Sequence, residues 1–221
     1  MKELDRWQSF WKNKTAAGHS RDSDDHYEAH AIELKLLFGD KPAERVLEIG
    51  CGDGVLYRHL GFDRAAEYKG IDFSAAMLDE FHKRHPQVVL EATTGHSYRD
   101  ARKYDLIFCS QVMQYFDRAM LDEYFGNAAA MLAPGGRLVC ASVPWRPLRR
   151  QFLMGKLTSR KRSAAWSVLN YARHFHRDRL GHWYDWSDFE RIGSRHGFRA
   201  NFYGSVFYPY RFHAVLRPEA P

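Results

Sequence analysis

The stretch Val46-Leu47-Glu48-Ile49-Gly50-Cys51-Gly52-Asp53-Gly54 decides the fold of this 221-residue chain. It begins as an apolar run that is typical of a buried strand, and three glycines follow at alternate positions. Because glycine lacks a Cβ atom, the chain can turn sharply here and lie flat against a ligand. The helical pattern of Val55, Leu56 and Leu60 then places a helix N-terminus at the same spot, which suits a bound carboxylate or phosphate.

Short apolar strands alternate with helical segments after this loop. Strands are predicted at 45–49, 68–72, 87–91, 104–109 and 137–142, and helices at 54–60, 74–84 and 118–132. The alternation predicts an α/β fold, in which a seven-stranded, mostly parallel sheet has helices on both faces and an antiparallel last strand pair. A ligand is then expected at the carboxyl ends of the strands.

Several residues mark where the predicted elements begin and end. A first helix is predicted to begin near Asp25, and Pro134-Gly135-Gly136 is expected to turn the third core helix into the next strand. Ser187 is expected to cap a last helix, which is followed by two closing strands near 198–204 and 209–217.

An acid, Asp72, ends the second predicted strand, 24 residues after Glu48. In nucleotide-binding sheets, an acid at this place accepts hydrogen bonds from ribose hydroxyls. The structural alternative is an aspartate that caps the following helix, but Ser74 is well placed for that role. Asp72 is therefore predicted to bind the ribose of a nucleoside.

The composition is that of a globular protein, with 45% apolar and 15% aromatic residues. No apolar run has the length of a membrane span, and the charged N-terminus does not read as a secretory signal. Cys51, Cys109 and Cys140 are odd in number and lack metal-ligand spacing. We therefore expect reduced thiols, no metal site and a cytoplasmic location.

The net charge of +6 comes from one segment, residues 146–180, which holds ten Lys or Arg and a single acid, Asp178. Part of this segment is amphipathic, with an apolar face formed by Ala165, Val168, Leu169, Ala172 and Phe175. Three interpretations stay open: a solvated helical lid, contact with an anionic membrane surface, and nucleic-acid binding.

The spacing of the glycine loop separates two classes of cofactor site. A dinucleotide site has the pattern G-x-G-x-x-G, whereas Gly54 comes one residue early and an acid precedes the loop. This pattern resembles motif I of the class I S-adenosylmethionine (SAM)-dependent methyltransferases. Residues 70–78 resemble motif II of that family, residues 104–110 motif IV, and residues 131–138 the turn before its fifth strand. The resemblance covers residues 45–143 and implies a Rossmann-like sheet, methyl transfer and a SAM cofactor.

The resemblance also implies which residues hold SAM. Glu48 and the loop backbone would contact the methionine end, while Phe73 and Met77 would flank the adenine. The family often has an acid that reads the adenine amino group, but residues 91–96 offer none there, and Thr93 or Thr94 is the expected substitute. The full set is Glu48, Gly50, Cys51, Gly52, Gly54, Asp72, Phe73, Met77, Thr93, Thr94, Ser110 and Gln111.

These motifs do not identify a catalytic base. Methyl transfer depends mainly on holding the acceptor in line with an activated methyl group, but a hydroxyl acceptor also needs a base within hydrogen-bond reach. His182 is the first candidate, because its loop is expected to overhang the cofactor pocket, and Gln111 is a second catalytic candidate. Tyr27 and His30 lie one helical turn apart and could close over SAM, although packing explains them equally well. Further candidates are Tyr184, His19, His26, His30 and His213.

Two C-terminal stretches, residues 181–186 and 210–216, resemble bacterial methyltransferases associated with surface-polysaccharide synthesis. This implies a small-molecule or glycan acceptor, with the hydroxyl of a sugar or lipid-linked sugar as the hypothesis. RNA methyltransferases of this fold usually carry an Asn-Pro-Pro-Tyr type motif, which residues 109–112 lack, so a nucleic-acid acceptor is disfavoured. A non-catalytic SAM-binding regulatory subunit and an NAD-dependent oxidoreductase stay open as alternatives.

We expect the chain to form one domain over residues 1–221. Its expected parts are an N-terminal arm and helix (1–40), a SAM-binding core (41–143), a basic helical insertion (144–186), and a C-terminal helix with closing strands (187–221).

Overall fold

The computed structural model describes residues 24–40, 42–157, 163–174 and 180–219 of the chain. Its strands are β1 Arg45–Ile49, β2 Glu67–Asp72, β3 Val89–Ala92, β4 Tyr104–Ser110, β5 Leu132–Pro144, β6 Phe198–Gly204 and β7 Arg211–Pro218. They form one seven-stranded sheet in the order β3-β2-β1-β4-β5-β7-β6. Strands β1 to β5 pair in parallel, whereas β7 runs antiparallel to β5 and β6. The predicted fold class, with its antiparallel last strand pair, is confirmed.

Helices cover both faces of this sheet. They are α1 Asp24–Lys35, α2 Val55–His59, α3 Ala75–Arg84, α4 Arg118–Met131, α5 Arg149–Leu153, α6 Ala164–His174 and α7 Trp186–Arg195. Successive side chains of a strand point to opposite faces. In β4, Ile107 therefore joins the apolar cluster beneath α4 and α7, while Leu106 and Phe108 join the cluster beneath α1, α2 and α3.

The strand order places a crevice where the sequence predicted a ligand. From β1 the chain moves to β2 and β3 on one side, and it then returns to β4 on the other side of β1. A sheet that changes direction in this way leaves an opening beyond the carboxyl ends of the two strands. The glycine loop follows β1, and Gln111 follows β4, so both lie at this opening.

Two predictions at element ends are wrong. Strand β5 begins at Leu132 and runs through residues 134–136, because a shift of register against β4 absorbs these residues within the strand. Helix α7 is capped by Asp185 and not by Ser187. The Asp185 carboxylate and the Asp188 carboxylate form a reciprocal capping box, which leaves Ser187 inside the first turn.

Helix α6 turns its apolar face away from the domain. Val168 and Leu169 are 62% and 69% exposed, whereas Ser167 is buried. Asn170 donates a hydrogen bond to the carbonyl group of Leu153 at the end of α5, and the half-buried Trp166 ring lies against Gly155, so α6 contacts the domain through a side other than its predicted apolar face. The predicted apolar face also included Phe175, which lies outside the described residues. In the described parts of the chain, none of the helices has both the length and the apolar character that crossing a bilayer requires.

Replacing Gly54 with alanine is expected to destabilise the fold more than the same change at Gly61. Both glycines have left-handed φ angles, +75° and +78°, so alanine costs about 1–2 kcal/mol at either position. A Cβ atom at Gly54 would also lie 2.4 Å from the Phe81 ring, whereas one at Gly61 would meet no non-neighbouring atom of the described residues within 4 Å. Crowding at Phe81 adds about 1–3 kcal/mol. Urea unfolding of both variants without ligand measures this difference, and equal losses of unfolding free energy would contradict it.

Candidate active site

The glycine loop between β1 and α2 has a backbone conformation that requires glycine. Gly50, Gly52 and Gly54 have φ angles of +71°, +56° and +75°, which side chains disfavour. The N–H groups of Gly50 and Cys51 donate hydrogen bonds to the carbonyl group of Ile71, over 2.8 and 3.1 Å. These bonds attach the loop to the end of β2, so the loop lies along the carboxyl edge of the sheet.

The Asp72 carboxylate holds two segments at this edge. Its Oδ2 accepts a hydrogen bond from the Gly52 N–H over 3.0 Å, and its Oδ1 accepts one from the Ser74 N–H over 2.8 Å. Burial raises the pKa of Asp72, while these N–H donors oppose the rise. Ser74 is the N-cap residue of α3 as predicted, but its side chain makes no capping hydrogen bond. Because each carboxylate oxygen can accept more than one hydrogen bond, Asp72 retains acceptor capacity for a ligand hydroxyl.

Glu48 is a second buried carboxyl group at the same edge, with only 4% of its surface exposed. The Tyr68 hydroxyl donates a hydrogen bond to Glu48 Oε2 over 2.6 Å. Burial raises the pKa of Glu48 to about 7, and the nearby Asp72 carboxylate adds to the rise, although the Tyr68 hydrogen bond opposes it. Glu48 can therefore gain or lose its charge near neutral pH.

One cavity collects almost all of the residues predicted to bind the cofactor. Of the predicted set, only Gly54 is absent from its lining. The lining also contains Asp53, whose carboxylate is buried and pairs with Arg84 over 2.9 Å. Further lining residues had no predicted ligand role. Some belong to the glycine-loop side, namely Ile49, Val55, Leu56 and Ser74, and the others follow β3 or β4 or lie in the C-terminal half: Gly95, His96, Val112, Tyr115, Phe116, Met120 and Tyr208.

The chemistry of the lining fits SAM. The carboxyl groups of Glu48 and Asp72 can meet a ligand's ammonium group and ribose hydroxyls, and the apolar side chains of Phe73 and Met77 can flank a flat base. The Ser110 hydroxyl is buried and lacks a hydrogen-bond partner within the described chain. A buried polar atom of this kind is one that a bound ligand can satisfy.

The candidate bases divide into two groups. His30 lines the cavity, whereas His182, Tyr184, His213 and His26 do not, and His19 lies outside the described residues. Tyr27, which was expected to close over SAM together with His30, also lines the cavity. His182 was expected to overhang the cavity, but it does not line it. Its backbone N–H donates a hydrogen bond to the Gln114 carbonyl group over 2.8 Å. The buried Tyr184 hydroxyl likewise donates to the carbonyl group of Phe116, a lining residue. The segment of His182 and Tyr184 therefore supports the cavity wall from behind.

Gln111, the second catalytic candidate, lines the cavity at the end of β4. Its φ angle is +57°, and its N–H donates a hydrogen bond to the carbonyl group of Ala141 in β5 over 3.1 Å. Left-handed backbone is uncommon for a residue other than glycine, and such strain is concentrated at functional sites. No property of the sequence near Gln111 indicated this conformation.

A cavity at the switch point of a parallel sheet, lined by carboxyl groups beside a glycine loop, is typical of a nucleotide-cofactor protein of the α/β class. Residues 22–201 match the family described as a methyltransferase domain, and the chain belongs to that family.

Two curated proteins are similar to this chain over about half of its length. The chain is 28% identical over 124 residues to the dTDP-3-amino-3,6-dideoxy-alpha-D-glucopyranose N,N-dimethyltransferase of Streptomyces fradiae, covering 55% of this chain and 48% of the relative. It is 31% identical over 112 residues to the malonyl-[acyl-carrier protein] O-methyltransferase of Haemophilus ducreyi, covering 48% and 43%. The chain thus matches less than half of the length of its curated relatives.

A solved structure agrees with the fold over nearly the whole chain. The complex of DhpI with S-adenosylhomocysteine (SAH) has a TM-score of 0.68 and 15% sequence identity, and the match covers 99% of this chain and 98% of that one. The predicted methyltransferase family, its Rossmann-like fold and its SAM cofactor are confirmed.

Binding of SAH is expected to strengthen as the pH rises from 6 to 8. Glu48 has a pKa of about 7, and its ionised form attracts the ammonium group of the ligand. The ionised fraction increases about tenfold over this range, so the dissociation constant falls by about the same factor. Calorimetric titration at several pH values measures the effect.

Two variants test whether Glu48 is responsible for the pH dependence. Glu48→Gln is expected to weaken SAH binding and to remove most of its dependence on pH. Glu44→Gln, which changes an exposed acid close to the same strand, is expected to leave both unchanged. A wild-type dissociation constant that stays constant from pH 6 to 8 would contradict this role of Glu48.

Proposed function

We propose that this protein transfers the methyl group of SAM to a hydroxyl group of a sugar or a lipid-linked sugar. The observation that carries the proposal is the uneven chemistry of the cavity. The lining acids Glu48, Asp53 and Asp72 all belong to the glycine loop or the strand ends beside it. Tyr27, on α1, and Tyr208, in the loop before β7, line the cavity with neutral groups that can form hydrogen bonds.

This neutral part of the lining favours a hydroxyl over an amine as acceptor. A sugar amine carries a positive charge near neutral pH, and a protein site for it gains from a nearby carboxylate. Within the described lining, the side formed by Tyr27, His30, Tyr115 and Tyr208 holds no acid. The nearest acid, Glu33, lies outside the lining and accepts hydrogen bonds from the loop before β7. A neutral hydroxyl group needs no such partner, and tyrosine and histidine can orient it.

Two of the relatives support a small-molecule or carrier-bound acceptor without fixing its reacting atom, whereas a third is named as a ribosomal RNA methyltransferase. One is named for N,N-dimethylation of a nucleotide-linked amino sugar, and another for O-methylation of a carrier-bound malonyl group. An amino sugar is therefore the second candidate acceptor for this chain.

Label transfer from SAM tests the proposed acceptor class. Protein with radiolabelled SAM is offered dTDP- and UDP-linked neutral sugars, their amino-sugar counterparts, and polyprenyl-phosphate-linked sugars. We expect label on a neutral sugar, and at least about tenfold less with Asp72→Asn at limiting SAM, because that variant weakens the contact expected with the SAM ribose.

The other outcomes separate the alternatives. Label only on amino sugars would assign N-methylation and contradict a hydroxyl acceptor. Tight SAM binding without label on any acceptor would favour a regulatory subunit. Equilibrium dialysis that detects NAD binding and no SAM binding would favour an oxidoreductase.

We also propose that the basic segment, residues 146–180, contacts an anionic membrane surface from the cytoplasmic side. The outward apolar face of α6 supports this proposal, since Val168 and Leu169 are exposed together. Arg150, Lys156 and Arg173 are exposed cations of the same segment. Apolar side chains next to cations are typical of helices that lie in the interface of an anionic bilayer. Such a contact would suit a protein whose acceptor is linked to a lipid.

Vesicle binding tests the membrane contact. The protein is expected to sediment with vesicles of phosphatidylglycerol and not with vesicles of phosphatidylcholine alone, and added salt should release it. Leu169→Glu is expected to weaken binding about tenfold or more, because it removes apolar area and adds a negative charge. Leu36→Glu, at a residue that is 80% exposed elsewhere, makes the same change in charge and should have little effect. Equal binding by the two variants, or preferential binding to RNA, would overturn the proposal.

A further inference from the structure

Two residues other than glycine have a left-handed backbone in the described chain; one lines the cavity and the other contacts a lining residue. They are Gln111, with φ +57°, and Ser142, with φ +55°. The conformation costs about 1–2 kcal/mol for each residue. Gln111 lines the cavity, and the side chain of Ser142 contacts His30, which also lines it. Strain that is maintained at two neighbouring positions indicates that the surrounding contacts serve a function.

Ser142 lies in an irregular part of β5, where the register against β7 shifts between Cys140 and Val143. This irregularity changes the direction in which the polar groups of Ser142 point. Its N–H donates a hydrogen bond to His213 Nδ1 over 3.1 Å, and its carbonyl group accepts one from Arg211. Its hydroxyl lies 3.2 Å from His30 Nε2. Ser142 thus joins the last strand of the sheet to the histidine in the cavity.

The hydrogen bond from the Ser142 N–H also determines the tautomer of His213. Because Nδ1 accepts, a neutral His213 carries its proton on Nε2, which lies 3.5 Å from a carboxylate oxygen of Glu33. Glu33 in turn accepts hydrogen bonds from the Ser205 hydroxyl over 3.0 Å and from the Val206 N–H. These contacts hold the loop before β7 against α1, the helix that carries His30.

The His30 ring is held on its faces and edges as well. It stacks on Phe207 with a centroid distance of 4.9 Å and an interplanar angle of 18°, and it meets the Tyr208 ring edge-on at 5.1 Å. Only 2% of His30 is exposed, although it lines the cavity. Its described hydrogen bond uses Nε2 and leaves Nδ1 for a ligand.

The surroundings of His30 keep the ring neutral. Burial lowers the pKa of His30 to about 4; the Glu33 carboxylate opposes this shift, while His213, His26 and Arg211 add to it. A neutral ring has one nitrogen with a free lone pair at physiological pH. A histidine in this state can accept a proton without first losing one.

We propose that His30 is a catalytic residue that accepts the proton of the acceptor hydroxyl through Nδ1, and that Ser142 is the positioning residue that holds its Nε2–H. The inference rests on the proposed function, because it concerns the same cavity and a protic acceptor. Tyr27, one helical turn before His30, and Tyr208, against its ring, would flank the acceptor.

The step balances without any further reactant. The acceptor oxygen forms a bond to the methyl carbon as the carbon–sulfur bond of SAM breaks, and the electron pair of that bond stays on sulfur. The hydroxyl proton moves to His30 Nδ1, which leaves a neutral ether, neutral sulfur and an imidazolium ring. A protonated ether is a far stronger acid than an imidazolium ion, so even a weakly basic histidine takes this proton. The nearby Glu33 carboxylate stabilises the resulting charge.

The first experiment compares three histidine variants in the acceptor panel described above. His30→Gln is expected to lower kcat about 100-fold or more, with the SAH dissociation constant within twofold of wild type. His82→Gln, at an exposed histidine of α3, is the matched control and should keep full activity. His182→Gln tests the competing base. Activity of His30→Gln within threefold of wild type, or a large loss in His182→Gln alone, would overturn the proposal.

The second experiment needs no acceptor and separates a failure of this inference from a failure of the proposed function. Nitrogen-15 NMR of the SAH complex reports the tautomer of His30, which is identified by comparison with His30→Gln. We expect a proton on Nε2 and none on Nδ1 at neutral pH, and a change in this pattern in Ser142→Ala. A proton on Nδ1 would overturn the proposal even if a sugar is methylated. The expected tautomer with no label on any acceptor would instead reject the proposed function alone.

Discussion

The Asp72 carboxylate fixes the part of the structure on which the cofactor cavity depends. It extends from the end of β2 and accepts hydrogen bonds from Gly52, in the loop after β1, and from Ser74, before α3. One side chain therefore sets the positions of two segments that a parallel sheet leaves unpaired at its carboxyl edge. Because Asp72 is buried, a lost partner would leave a polar group unsatisfied, which costs more than losing an exposed hydrogen bond. The glycines allow the loop to turn, and the hydrogen bond from Gly52 to Asp72 fixes the position of the loop.

The cofactor side of the cavity, formed by the glycine loop and the strand ends beside it, could be predicted well because the sequence patterns that determine it are local. The glycines of the loop are close neighbours, and each has a φ angle that other residues disfavour. Apolar runs of strand length gave β1 to β4 within two residues of their ends, whereas β5 was predicted to start five residues too late. Its early start depends on a register shift against β4. A shift of that kind arises from pairing with another strand, so no pattern within residues 132–137 reveals it.

The acceptor side of the cavity, formed by Tyr27, His30, Tyr115 and Tyr208, could not be predicted in the same way. His30 and His182 are both histidines near aromatic residues, and their distance from the cavity depends on which distant segments they contact. The Gln114 carbonyl group holds the backbone of His182 behind the wall, whereas Phe207 and Ser142 hold His30 inside it. Helix α6 shows the same limit, since periodicity identified its apolar face but not the direction in which that face points.

The two sides of the cavity also differ in when they can form. The hydrogen bond between Gly52 and Asp72 spans 20 residues, whereas the bond between Glu33 and Ser205 spans 172. Closing a long loop is slower than closing a short one, and a chain made from its N-terminus holds α1 long before β7 exists. The hydrogen bonds that hold the glycine loop therefore join residues that are made early, whereas the wall that carries His30 needs the last strand. The contacts that shape the cofactor side are thus closed early in the order of synthesis, and those that shape the wall carrying His30 are closed last.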